Sequence, residues 1–226
     1  MNTWRGHVAR WWDALLHPER AGQLVLAEGG AGFDRFLVVA VFALYFVYGF
    51  SVGLFRGVYP AIVAGLKLPF LYLMALAICF PAFYALNCTA GPRFRVGQCV
   101  RLLLLALSSN AVAVASYTPL SLFFTLTTSK RGYLFIALMH VGVFAIAGVV
   151  SVAVIVFVFR AAAAAVTRQT SGAMALIWGI LYAFVGTEMA WVLRPWIGWW
   201  EEPYTPFRAV DRSFIEALWF MIGKVL

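Results

Sequence analysis

Apolar residues in this chain gather into five long runs, at about 36–55, 66–87, 100–126, 133–160 and 172–193, separated by short polar breaks. Each run has the roughly 20 residues a helix needs to cross a hydrocarbon core of about 30 Å. The pattern predicts an all-α, polytopic transmembrane helix bundle of about five spans. Pro69 falls in the first turn predicted for the second span, where proline is tolerated. Pro81 is expected to kink or shorten that span, and Pro119 to bend the third. The fourth run continues into Ala161–Ala165, which extends a helix outward.

The flanks follow a different pattern. In residues 1–32, Trp4, Val8, Trp11, Trp12 and Leu15 fall on one helical face, with Arg5, His7, Arg10 and Asp13 largely off it. This predicts an amphipathic interfacial helix, or one laid on the bundle itself, ending at His17-Pro18. Residues 28–33 read as a flexible joint. Residues 195–226 are aromatic and mixed in charge, and their apolar run near 213–223 is too short to cross, so an interfacial tail is expected. The bundle itself occupies about 33–194. No apolar core followed by a small-residue cleavage site precedes the first span, which is expected to act as its own insertion signal.

Charge sharpens this picture. No Asp or Glu occurs between Arg35 and Thr187, although the chain has nine acids. Charge at bilayer depth is costly, whereas a water-facing surface needs it. Only 12% of residues are charged and 64% are hydrophobic. The net charge of +8 is scattered over span ends, which suits anionic lipid headgroups and excludes a nucleic-acid-binding tract. Lys and Arg divide almost evenly between the two sides, so they do not orient the chain. Lys67 sits at a predicted boundary, where it can snorkel.

Candidate chemistry is sparse. Glu188 is the one acid inside a span and His140 the one histidine. With Ser109 and Asn110, which belong to a polar cluster in the third span, they are the candidate polar intramembrane residues. Each has a bland reading as a hydrogen-bonded packing group and a sharper one as part of a proton or cation path. Gly49, Gly53 and Gly57 form GxxxG steps, and Gly179, Ala183 and Gly186 form a small-residue stripe; both predict close helix packing. Cys79, Cys88 and Cys99 have no metal-ligand spacing, and Cys88 and Cys99 could pair only in an oxidising compartment. Asn87-Cys88-Thr89 matches a glycosylation sequon but abuts a span end. There is no HExxH, no P-loop, no GxGxxG and no GxSxG with a nearby histidine. Neither an enzyme, a cofactor nor a metal is expected.

The segment from Gly186 to Gly198, with its Trp191-Val192-Leu193-Arg194-Pro195-Trp196-Ile197-Gly198 core, resembles the C-terminal signature of an uncharacterised family of bacterial multi-pass membrane proteins. Pro206-Phe207-Arg208, Phe214-Ile215-Glu216, Cys79-Phe80-Pro81 and Pro119 with Phe123-Phe124 extend the resemblance. The layout is also similar, more weakly, to the Yip family of membrane trafficking proteins. The resemblance implies a bacterial inner membrane and supplies no activity; the position of Glu188 is more often Gln in that family, which argues against an obligatory proton carrier. Trp191, Arg194, Pro195, Trp196, Trp199 and Trp200 read as interfacial anchors. The expected function is a non-enzymatic membrane subunit that oligomerises with itself or docks a membrane-complex partner. The alternative is a channel or transporter with a polar path past Asn110, His140 and Glu188.

Overall fold

The computed structural model describes residues 2–27, 30–129, 132–164, 166, 173–197 and 203–207. They form eight α-helices: α1 (Asn2–Leu16), α2 (Pro18–Leu26), α3 (Ala31–Gly53), α4 (Val58–Ala90), α5 (Val96–Ser116), α6 (Thr118–Thr127), α7 (Tyr133–Ala164) and α8 (Ala173–Val192). Five segments are long and apolar enough to cross a membrane: α3, α4, α5 with α6, α7, and α8. The chain is a multi-pass helical membrane protein. The spans alternate in direction. The end of the bundle that carries α1 and α2 is called proximal below, and the end that carries residues 193–207 distal.

Several helices outrun their predicted bounds. Helix α4 begins at Val58 and runs through both Pro69 and Pro81, so Pro69 is not in the first turn and Pro81 does not end the helix. Proline removes one backbone donor, and neighbouring helices can brace the weakened turn. Here α8 supplies the brace: Trp178 Nε1 donates to the Cys79 carbonyl at 2.9 Å and Tyr182 OH donates to the Tyr72 carbonyl at 3.0 Å. The third span breaks at Tyr117, just ahead of Pro119, into α5 and α6. Helix α7 extends to Ala164, with Ala162 and Ala163 buried.

Helix α2 has no counterpart in the sequence pattern. Pro18 starts it, and its buried face (Ala21, Val25) lies on the proximal end of α7. A Cβ at Gly22 would stand 2.8 Å from the Ala161 carbonyl carbon, so only glycine allows this approach. Helix α1 lies on the bundle, where Trp11 Nε1 donates to Ser108 Oγ at 2.9 Å and Trp4 and Trp11 meet Phe36 edge-on. The predicted apolar stripe therefore splits. Trp11 points inward, while Trp4, Val8, Trp12 and Leu16 remain exposed along one edge of α1.

The predicted joint has a specific role at Gly30. A Cβ there would occupy the space of the Arg101 guanidinium. Arg101, 5% exposed, pairs through Nε with Asp34 at 2.8 Å and donates to the Leu24 and Ala27 carbonyls, which satisfies the C-terminal end of α2. One side chain of α5 thus gathers α2, the Gly30 turn and the start of α3. The core has two parts, one proximal around Phe83, Phe94, Leu102, Phe159 and Trp178, the other distal around Val41, Tyr45, Tyr48, Val114 and Ile136.

Candidate functional site

Helices α7 and α8 form an antiparallel pair that comes together at its proximal half, where a Cβ built on Gly179 would stand 3.6 Å from the Val152 side chain. Counting away from that contact, Ala145 comes opposite Gly186, and Val141 opposite Ala190. All four line a cavity of about 970 Å³, and nothing stands within 4 Å of a Cβ built on Gly186. The pair splays distally, and α3, α4 and α5 close the back of the gap.

The small-residue stripe of α8 is therefore partly a cavity wall. Gly179 packs, whereas Ala183 and Gly186 border open space. Small side chains at helical spacing permit close approach, but they leave a void wherever the facing helix diverges. In span 1, Gly49 and Gly53 do sit against α4: a Cβ at Gly49 would stand 2.6 Å from the Ala64 carbonyl oxygen, and one at Gly53 would collide with the Pro60 carbonyl. Gly57 does not pack. Its φ of +134° places it in a conformation that favours glycine, at the turn into α4, with open space around it.

The charged side chains of the cavity, Arg56 and Arg194, lie at one end only, and Tyr72, Asn110, Ser151 and Tyr182 are scattered along the deeper wall. The distal mouth is formed by Arg56, Tyr133, Arg194, Trp196 and Tyr204, and His140 lies about two turns of α7 deeper than Tyr133. Below that level the wall is mainly apolar, through Leu71, Leu76, Leu103, Leu107, Ile155 and Trp178. Val141 and Ala145 on α7 and Ala183 and Thr187 on α8 line the cavity and are also exposed. The gap between the two helices is thus a lateral opening at membrane depth.

Four buried side-chain polar atoms lack a hydrogen-bond partner among the described residues: His140 Nε2, Arg194 Nε, Tyr204 OH and Thr118 Oγ1. Three of the four belong to residues that line the distal part of this one cavity. An unsatisfied buried polar group costs about 1–3 kcal/mol, so such a concentration calls for a reason. His140 Nδ1 lies 2.7 Å from Tyr48 OH. When that hydroxyl donates to Nδ1, the neutral ring carries its own proton on Nε2. The Arg194 guanidinium lies 3.9 Å from the centre of the Trp191 ring. Stacking engages the face of the guanidinium and leaves its N–H edge directed elsewhere. Burial raises the Tyr204 phenol pKa above its ordinary value, as does Tyr59, against a smaller opposing pull from Arg56. In that tautomer of His140 all three groups can donate.

The sequence-predicted polar residues come together only in part. Asn110 and His140 both line the cavity. Asn110 is fully engaged: Tyr45 OH donates to its Oδ1 at 2.5 Å and its Nδ2 donates to the Ala147 carbonyl at 2.8 Å. It ties α3, α5 and α7 at mid-bundle. Ser109 Oγ turns back onto the Leu105 carbonyl at 3.1 Å. Glu188 is half-buried on α8 and falls outside the cavity lining, although its neighbour Thr187 belongs to it. Trp196 Nε1 donates to the Ala190 carbonyl at 3.0 Å, which folds the chain after Pro195 back over the end of α8. Trp199 and Trp200, and the apolar run near 213–223, lie outside the described residues.

Lys67 is the main correction at the distal end. It does not snorkel outward; it is 5% exposed and its Nζ donates to the carbonyls of Leu193 (2.7 Å), Pro195 (3.1 Å) and Pro206. A cation at the end of α8 meets carbonyls that have no partner within the helix. Arg56 and Tyr204, also missed, meet as a cation over a ring at 5.5 Å. Span parity was the available signal. Arg56 follows the first span and Arg194 the fifth, so both must emerge on the same side.

Other candidates resolve simply. All three cysteines are free thiols, Cys79 and Cys99 buried and Cys88 exposed. The Asn87 amide is buried and exchanges two hydrogen bonds with Phe94, at 2.9 and 3.0 Å, so the sequon asparagine is occupied. Gly49-Phe50-Ser51-Val52-Gly53 has GxSxG spacing but lies within α3 rather than at a strand-to-helix turn, and Ser51 Oγ bonds the Tyr48 carbonyl and Ser121 Oγ. No group of three His, Cys, Asp or Glu able to hold a metal occurs among the described residues. No family model, curated protein or solved structure matches the chain.

Proposed function

We propose that this chain is a non-enzymatic membrane protein that takes an amphiphile from the surrounding bilayer and holds it inside its helix bundle. The observation that carries this reading is the lateral gap between α7 and α8. It leads into a cavity of about 970 Å³ that is mainly apolar in depth and carries its two arginines at the distal mouth. That volume is at the upper end of the range of small-molecule sites, about 300–1,000 Å³. Between Ala137 and Ile155 the α7 wall spans about 27 Å at the usual helical rise, so an extended hydrocarbon chain fits along it. The proposed location is a bacterial inner membrane, on the strength of the Gly186–Gly198 resemblance.

The oligomerising or partner-docking reading has weaker support, because Gly49 and Gly53 are taken up by α4 of the same chain. A polar path past Asn110, His140 and Glu188 also has weaker support, because both ends of the Asn110 side chain are engaged and Glu188 stands outside the lining. Lipid analysis of the purified chain tests the proposal. Protein freed of loosely bound lipid in mild detergent should retain close to one lipid per chain. Gly186→Trp, whose indole can fit only by filling the cavity, should lose it. A wild type that carries no lipid, or a Gly186→Trp variant that carries as much, would sink the reading.

A further inference from the structure

We propose that the amphiphile held in this cavity bears a phosphate monoester at its polar end, received by Arg194, Tyr204 and His140. This rests on the cavity reading above and adds the chemical class of the headgroup. The polarity of the site comes first: the wall is mainly apolar from Leu71 and Leu76 down to Ile155 and Trp178, and both arginines stand at the distal mouth. An amphiphile therefore binds with its chain inward and its head towards Arg56 and Arg194.

The nature of the head follows from the groups that lack partners. His140 Nε2, Arg194 Nε and Tyr204 OH are buried in the distal part of the cavity without a hydrogen-bond partner among the described residues, and His140 is only 4% exposed. In the tautomer in which Tyr48 OH donates to Nδ1, all three are donors. A head made of donors, such as an ammonium, would leave them unsatisfied and would face the permanent cation of Arg194. A single hydroxyl offers too few lone pairs. The donors reach the distal part of the cavity from three directions: His140 from α7, Arg194 from the end of α8 and Tyr204 from the returning tail. A planar carboxylate presents its two oxygens in one plane, whereas a phosphate monoester presents three terminal oxygens tetrahedrally and carries more charge. Guanidinium and phosphate form strong charge-assisted pairs.

The test uses the full chain in mild detergent and native mass spectrometry, with four probes: dioleoyl phosphatidic acid, dioleoyl phosphatidylcholine, dioleoylglycerol and inorganic phosphate. Phosphatidic acid should be retained at least about tenfold more tightly than the other two lipids, the effect of about one charge-assisted hydrogen bond. Inorganic phosphate alone should not bind measurably. Arg194→Gln should remove the preference. Tyr204→Phe, which deletes only a hydroxyl and preserves the ring, should reduce it. Arg160→Gln, at the exposed proximal end of α7, should leave it intact.

Equal retention of all three lipids would overturn the headgroup assignment while leaving the cavity reading standing. Retention of none would overturn both. Binding of inorganic phosphate as tight as that of phosphatidic acid would replace the lipid by a soluble anion. A preference equally sensitive to Arg160→Gln would reduce it to general surface charge and overturn the assignment.

Discussion

The ammonium of Lys67, from the second span, lies 2.7 Å from the carbonyl of Leu193, at the end of the fifth. The two residues are far apart in sequence, and their contact fixes where α8 ends relative to α4. Because the same ammonium also reaches the carbonyls of Pro195 and Pro206, it holds the returning tail over the cavity mouth as well.

Lys67→Met retains most of the apolar stem and removes the donor. Three carbonyls then lose a shared cation in a buried place, and the expected cost is about 1–3 kcal/mol for the unsatisfied groups. Thermal unfolding in detergent reads this directly. Limited proteolysis should in addition show cleavage within 193–207 before the bundle itself is cut. A variant as stable and as protease-resistant as wild type would mean that the tail is held by other contacts.

Arg101 and Asp34 form a buried ion pair of unequal halves. Arg101 also serves the carbonyls at the end of α2, while the Asp34 side chain keeps 20% of its surface exposed. Removing one member of a buried pair typically costs about 3–5 kcal/mol. Arg101→Gln should fall in that range, because Asp34 and the α2 carbonyls are stranded together. Asp34→Asn should cost distinctly less, since its partner retains carbonyl acceptors. A double-mutant cycle measured by denaturant or thermal unfolding checks the ordering, and equal single costs would refute it.

Much of the architecture was legible in the sequence, for a simple reason. Acids at bilayer depth are costly and a crossing needs long apolar helices, so the acid-free stretch between Arg35 and Thr187 and the five runs announced the five spans. What was not legible depends on relations between helices. Lys67 at a run boundary has the same signature whether it reaches out to headgroups or in to the end of α8. The spacing of Gly179, Ala183 and Gly186 is the same in a tight helix pair and in a splayed one. Helix α2 is short and mixed in polarity, and only its seat against Ala161 at Gly22 and the Arg101 cap give it a place. The cavity mouth needed span parity to bring Arg56 beside Arg194. That argument was available from the runs, but the polar mid-span residues drew attention elsewhere.

Asn110 links three helices through one amide, from Tyr45 OH and to the Ala147 carbonyl. Hydrogen bonds between membrane helices contribute about 0.6–2 kcal/mol each. Asn110→Leu should therefore destabilise the bundle by about 1–3 kcal/mol, with no added effect of Tyr45→Phe in the same chain, because the hydroxyl has already lost its acceptor. Unfolding of the two single variants and the double variant would show this as strong non-additivity; additive losses would mean that the Tyr45 hydroxyl has a second acceptor.

The glycines offer the sharpest contrast between packing and open space. Gly53→Ala drives a methyl group into the backbone of α4 at Pro60 and Ala61, where neither partner is a flexible side chain. The α3–α4 pair must separate, and overpacking of this kind costs about 1–3 kcal/mol. Gly57→Ala meets no atom but must hold a φ of +134°, so it too should destabilise, through the backbone rather than through contact. Gly186→Ala meets neither obstacle: it lies within α8 and faces the cavity. Alanine exceeds glycine in helix propensity by about 1 kcal/mol, so this variant should be neutral or slightly more stable. Thermal unfolding of the three single variants should therefore rank Gly186→Ala at or above wild type, with the other two below it. If Gly186→Ala proved as damaging as Gly53→Ala, the splayed arrangement of α7 and α8, and the cavity between them, would have to be abandoned in favour of a closed helix pair.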